Sequence, residues 1–255
     1  MVVTGRGPAM LMIPGIQGRW EWMAPAVDTL GARLRVGSYS LSGEPESVPP
    51  QIARTFDDLV RQALNALTRL TDAPAVVCGV SYGALIALRL AARYPERVRA
   101  LVLASPLNAD FAPDARVRGW VAHPYLMAPA FLAGSPGRTL PEIRAAHDGR
   151  WLRAALGLLA RVARAPHSPG RMAARLRMLD GEDLVSDCRA VRQPTLLVTG
   201  EPVLDLIVPA DASCRMLDWI PDVRHVTLRR TGHWGLVTRR EAFATQVHAF
   251  LETLP

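Results

Sequence analysis

The chain has 255 residues, 49% of them hydrophobic, which is enough for one large core or a core with a small appendage. No apolar run approaches the roughly 18–20 residues a membrane helix needs, and residues 1–8 are interrupted by Gly5, Arg6 and Gly7, so neither a membrane span nor a signal peptide is expected. The formal charge of +7 rests on arginine alone, read as scattered singly over helix surfaces rather than clustered with aromatics, so no nucleic-acid partner is expected.

Residues 10–13 read as a short buried strand, followed by Pro14-Gly15-Ile16-Gln17-Gly18. Glycines let backbone approach a ligand closely, and a loop of this kind can aim an N–H at a developing negative charge, with Ile16 as the donor. An ordinary strand-to-helix connection is the other reading. Residues 20–34 form the next expected helix, with Trp22, Ala26, Val27 and Leu30 inward; residues 36–41 form a strand, and Ser42-Gly43-Glu44-Pro45 a turn. Across residues 49–70, Ile52, Phe56, Leu59, Val60, Ala63, Leu64 and Leu67 keep a helical period, which predicts a crossover helix between parallel strands.

The most informative stretch is Cys78-Gly79-Val80-Ser81-Tyr82-Gly83-Ala84. Residues 73–80 read as a buried strand, and Leu85, Ile86, Leu88, Leu90 and Ala91 recur at helical spacing until Tyr94-Pro95. A serine at so tight a strand-to-helix turn takes strained backbone angles, and its neighbours must lack side chains, which accounts for Gly79 and Gly83. Ser81 is the expected nucleophile, and the free N–H of Tyr82 a second oxyanion donor.

Residues 98–104 form another strand, after which the alternation of strand and helix stops. Residues 107–180 contain helical stretches broken by prolines and glycines, with Trp120, Tyr125, Phe131 and Trp151 among them, and are expected to form a helical cap over the site. The core domain is then residues 1–106 and 181–255. His123, His147 and His167 fall in the cap without metal-ligand spacing, so no metal or other cofactor is expected. Cys78, Cys188 and Cys214 are odd in number, widely spaced and in apolar settings, which argues for buried thiols in a reducing, cytoplasmic compartment.

The sheet resumes over residues 195–200, with Glu201 and Asp205 after it, and over residues 223–228, with His233 after it; residues 241–251 close the chain as a helix. Serine therefore follows one strand end, an acid a later one and histidine the last. A serine hydroxyl needs an imidazole to take its proton, and the imidazole needs a carboxylate to fix its tautomer.

These motifs resemble the α/β-hydrolase-fold superfamily of cap-bearing serine hydrolases over nearly the whole chain. The resemblance implies an α/β fold, a mostly parallel sheet flanked by helices, with Ser81 of Gly-Val-Ser-Tyr-Gly as nucleophile, Asp205 of Asp-Leu-Ile-Val-Pro as acid and His233 of Gly-His-Trp-Gly as base. Ile16 and Tyr82 would form the oxyanion hole, with Gln17, Trp20 and Trp234 expected to bind substrate. Glu201 is the alternative acid. The family's usual His-Gly ahead of the oxyanion loop is Pro14-Gly15 here, so a histidine that steadies that loop is missing. The antiparallel hairpin that often opens the fold must be short or absent, and a serine at the elbow argues against the dehalogenase and epoxide-hydrolase branches. The expected activity is hydrolysis of an ester of a small to medium hydrophobic substrate. Carbon–carbon hydrolysis, acyl transfer, lyase chemistry or a non-catalytic ligand receptor are the alternatives. The partner is a small molecule, and the chain is expected to be a monomer or homodimer with no clear interface on its surface.

Overall fold

Strands that are apolar at nearly every position demand cover on both faces, and the architecture supplies it. The computed structural model describes residues 1–47 and 52–254. Among these, seven strands form one sheet: β1 (Val2–Thr4), β2 (Ala9–Ile13), β3 (Arg35–Ser38), β4 (Ala75–Val80), β5 (Val98–Ala104), β6 (Thr195–Thr199) and β7 (Val223–Thr227). Their spatial order is β1-β3-β2-β4-β5-β6-β7, parallel except for β1, which runs antiparallel to β3. The opening hairpin is thus reduced to one short edge strand, which periodicity could not detect.

The helices are, in chain order, α1 (Ala24–Leu30), α2 (Phe56–Leu70), α3 (Tyr82–Arg93), α4 (Ala115–Ala122), α5 (Pro124–His147), α6 (Trp151–Arg164), α7 (Pro169–Arg177), α8 (Leu184–Ala190), α9 (Ala210–Cys214), α10 (Gly235–Thr238) and α11 (Arg240–Leu251). Side chains alternate along the strands, so Met10, Met12, Val76 and Cys78 pack with Val27, Leu30, Phe243 and Val247 of α1 and α11. Leu11, Ile13, Val77 and Leu101 pack on the other face with Phe56, Leu59, Leu85 and Leu88 of α2 and α3.

Several expected elements differ in extent. The helix expected over residues 20–34 is a 3-10 turn at Trp20–Trp22, a break at Met23 and then α1. Pro25 explains the break: without an N–H it suits a first helical turn, so α1 starts afresh at Ala24 with Pro25 in that turn. The helix expected over residues 49–70 begins at Phe56, where Thr55 and Asp58 form a capping box: the Asp58 N–H donates to Thr55 Oγ1 (3.2 Å) and the Thr55 N–H to Asp58 Oδ2 (2.9 Å). Ile52 is exposed rather than inward, and residues 49–51 lie outside the described residues. Residues 39–41 are buried but leave the strand ladder after Ser38, whose partner is Met12.

Residues 107–180 contain helices and no strand among the described residues, and α5 runs through Pro129, Pro136 and Pro141. On α6, Leu152, Leu156 and Leu159 face outward as an exposed apolar row at helical spacing. Arginines are not all on the surface either. Arg89 of α3 is buried and holds Asp187 (2.7 Å), Glu182 (2.5 Å) and Asp57 (3.1 Å), and Arg175 of α7 is also buried. Burial pushes the Cys78 and Cys188 thiols up to about 12, whereas Cys214 is only half-buried. No helix among the described residues is long and apolar enough to cross a membrane.

Strand order places the site. β3 lies on one side of β2 and β4 on the other, so the chain reverses its direction across the sheet there, and the loops leaving β2 and β4 meet at the carboxyl edge, where sheets of this kind bind ligands. Gly83 lets α3 press against that first loop: a Cβ on it would meet Pro14 O at 2.4 Å and Ile13 O at 2.6 Å. Because both obstacles are backbone, Gly83→Ala is expected to lower stability by about 2–3 kcal/mol, read as a fall in the urea midpoint. An unchanged midpoint would show that the elbow relaxes freely.

Candidate active site

Ser81 leaves β4 with φ 53° and ψ −118°, a conformation costly for a residue with a side chain. The surroundings hold it there. Its N–H donates to Ala104 O (2.9 Å), and its carbonyl accepts from the Ala84 (3.0 Å) and Leu107 (3.2 Å) amides. Gly79 makes the turn possible, since a Cβ on it would lie 2.5 Å from Ala84 Cα. Tyr82 opens α3, where an amide has no acceptor within its own helix.

The register of Ile13 opposite Gly79 brings the loop after β2 beside Ser81. A Cβ on Gly15 would sit 3.4 Å from Ser81 Cβ and 3.0 Å from Gln17 Oε1, so Gln17 and Ser81 flank the same backbone. The Gly18 N–H donates to Gly15 O (2.9 Å), closing a turn. That bond fixes the peptide plane joining Gly15 and Ile16, and in a trans peptide the Ile16 N–H points the opposite way. Trp20 follows in the 3-10 turn, half-buried.

Asp205 and His233 come from the loops after β6 and β7, and the structure brings them together. Asp205 Oδ2 lies 3.4 Å from His233 Nδ1, with both side chains buried. Asp205 Oδ1 accepts the amides of Ile207 (3.2 Å) and Val208 (3.0 Å), which turns its other oxygen toward the imidazole. With Nδ1 engaged, Nε2 is the nitrogen left for a substrate-side proton. Glu201 is used differently: it accepts the Arg230 N–H at 2.9 Å. No hydrogen bond joins Ser81 to His233 among the described residues, a contact commonly long until substrate is bound.

Two buried charges at this edge had not been expected as part of the site. Glu142 of α5 accepts the Trp234 N–H (3.0 Å) and the Thr238 hydroxyl (2.8 Å), tying α5 to the His233 loop. Burial pushes its carboxyl above the usual range, against those hydrogen bonds and the nearby His233. Arg175 donates to Ile16 O (2.7 Å) and Glu44 Oε1 (2.7 Å), and burial pulls its pKa down against the attraction of Glu44. The available signal was a charge on the buried face of a helix: Arg175 lies one turn beyond the buried Met172.

Trp234 tilts against Trp22 with ring centroids 5.4 Å apart, and Trp22 meets His167 edge-on at 5.8 Å. His167 also lines an apolar cavity of about 240 Å³ between α4, α5, α6 and α7, with Trp120, Phe131 and Met172 in its wall. Among the described residues no group of three His, Cys, Asp or Glu side chains could hold a metal ion.

The alpha/beta hydrolase fold family model matches residues 8–239. The chain is 32% identical over 261 residues to a 2-hydroxymuconate semialdehyde hydrolase of Pseudomonas putida, covering 98% of this chain and 86% of that one. It is 27% identical over 261 residues to a pimeloyl-[acyl-carrier protein] methyl ester esterase of Nitrosomonas europaea, covering 95% of each. Among solved structures, the enol-lactonase of Burkholderia xenovorans superposes with a TM-score of 0.80 at 22% identity, covering 98% of this chain and 95% of that one, a likeness of fold alone. Sheet order, strand-end loops and the match over most of its length agree: the chain belongs to the alpha/beta hydrolase fold family.

Proposed function

We propose that the protein is a serine hydrolase that cleaves a carboxylic ester of a small to medium hydrophobic molecule through an acyl-enzyme. The observation that carries this reading is the strained Ser81 at the end of β4, on the same sheet edge as the buried Asp205–His233 pair. Ser81 Oγ attacks the ester carbonyl while His233 Nε2 takes its proton, and the Ile16 and Tyr82 amides receive the oxyanion. Collapse expels the alcohol, which leaves with that proton. Water, deprotonated by the same imidazole, then releases the acid and restores Ser81. No metal or organic cofactor enters these steps.

The helical insertion over residues 107–180 acts as the cap in this reading, with Gln17, Trp20 and Trp234 facing the substrate. We read the cavity of about 240 Å³ among α4 to α7, whose His167 touches Trp22 and through it Trp234, as the acyl pocket; it exceeds the roughly 150 Å³ apolar cavity that takes up benzene, which suits a medium acyl or aryl group. Hydrolysis of p-nitrophenyl esters of graded chain length is therefore expected to peak at medium chains, and Met172→Trp, which fills the cavity, to move the optimum to shorter ones. Equal rates at every length would remove the cap from specificity.

One relative supports a second reading. The hydrolase of Pseudomonas putida is named for a semialdehyde that contains no ester, so carbon–carbon bond hydrolysis on the same three residues is the alternative. Turnover of a 2-hydroxy-6-oxo-dienoate without turnover of any ester would select it.

A further inference from the structure

Arg175 is one of the few charged side chains the fold buries almost completely, at 2% exposure, and it contacts both expected oxyanion residues, Ile16 and Tyr82. Its Nη1 donates to Ile16 O (2.7 Å), and its Nη2 to Ser42 O (3.2 Å) and Glu44 Oε1 (2.7 Å). Its own backbone carbonyl accepts the Tyr82 hydroxyl at 2.9 Å. A single residue of α7 therefore touches both residues whose amides face the expected oxyanion, without touching the reacting atoms.

The loop is built around this guanidinium. Gly18 has φ +78°, and a Cβ on it would fall 2.4 Å from Arg175 Nη1 and 2.5 Å from its Cζ. The turn bond from the Gly18 N–H holds Gly15 O on one side of Ile16, and Arg175 holds Ile16 O on the other, so both peptide planes that meet at Ile16 are pinned. Hydrogen-bond donors stabilise a transition state only when aimed beforehand, because reorienting them during the reaction consumes the stabilisation. Burying the guanidinium is tolerated because Glu44, itself buried, neutralises it, and Arg171 donates to the same Glu44 oxygen at 2.9 Å.

We propose that Arg175, neutralised by Glu44, is the positioning residue of the oxyanion loop, filling the place left by the histidine that Pro14-Gly15 lacks. This rests on the serine-hydrolase reading above. It makes α7 of the helical insertion a working part of the catalytic frame, so the insertion cannot swing away as a rigid lid without releasing Ile16.

The test is the rate at which an alkyl fluorophosphonate modifies Ser81 in the full chain, followed by intact mass. In that reaction the Oγ–P bond forms as P–F breaks, fluoride leaves with the bonding pair, and the hydroxyl proton passes to His233. It reads nucleophile, base and oxyanion donors whatever the natural substrate. Arg175→Met is expected to lower the maximal modification rate about 10²-fold, the effect of losing one oxyanion donor, with little change in the reagent concentration giving half that rate. Should that variant not fold, Glu44→Met/Arg175→Met removes the buried pair together, a change folds commonly accept, and the same loss is expected. A cooperatively melting Met variant that modifies Ser81 at the parental maximal rate overturns the proposal, as does a change confined to the half-maximal concentration. If the parent is not modified at Ser81, the serine-hydrolase reading itself fails, and that is known before any variant is compared.

Discussion

Ser81→Ala is expected to lower kcat for p-nitrophenyl ester hydrolysis by about 10⁴-fold or more, with the melting transition retained. On the transition-state scale that is about 5.5 kcal/mol, far beyond what one lost surface hydroxyl costs. The reason is chemical rather than structural. The backbone bonds that hold the elbow, from Ser81 N–H to Ala104 and from the Ala84 and Leu107 amides to Ser81 O, involve no side-chain atom. Alanine keeps those bonds and adopts the same φ of 53° at similar cost, so only Oγ is lost. Without it no acyl-enzyme forms, and the remaining donors can assist only direct attack by water. Rates should be followed at substrate saturation, so that the comparison reads the chemical step rather than binding. Turnover within tenfold of the parent would remove Ser81 from the chemistry and leave the elbow as a structural turn.

Asp205→Asn is expected to cost about 10⁴-fold in kcat at neutral pH, by the same route as in other triads. The amide oxygen takes the Oδ1 position, where the Ile207 and Val208 amides demand an acceptor. The amide nitrogen is then turned toward His233 Nδ1, 3.4 Å from the present Oδ2. A donor there forces Nδ1 to accept, which places the imidazole proton on Nε2, the nitrogen that must take the serine proton. The base is lost while the packing is kept. Glu201→Gln serves as the control: Glu201 meets the Arg230 N–H and not the imidazole, and an amide oxygen accepts that bond equally well. Loss of activity in Glu201→Gln with an active Asp205→Asn would reverse the assignment of the acid.

How much of this was legible beforehand depended on whether a feature is local in the chain. The elbow is local: strand, strained serine, two glycines and helix follow one another without a gap from Ala75 to Arg93, and sterics alone require Gly79 and Gly83. Strand ends were legible for the same reason, since β4, β5 and β6 are largely apolar runs stopped at Ser81, Ser105 and Gly200. The break at Pro25 and the start of α2 at Thr55 follow from local rules too, but hydrophobic period masked them by continuing through residues that are not helical. β1 escaped because three residues carry no period, and only pairing with β3 makes them a strand.

By itself the sequence determined the fold class, the strained turn at Ser81 and the order in which serine, acid and histidine follow their strands, because backbone sterics and burial of apolar runs act over a few residues. Only the tertiary structure decided which carboxylate meets His233, that Glu142 holds the loop carrying it, and that Arg175 reaches Ile16 across more than 150 positions of chain. A buried charge is tolerated only beside its partner, and that partner is chosen by folding, not by neighbourhood in the chain.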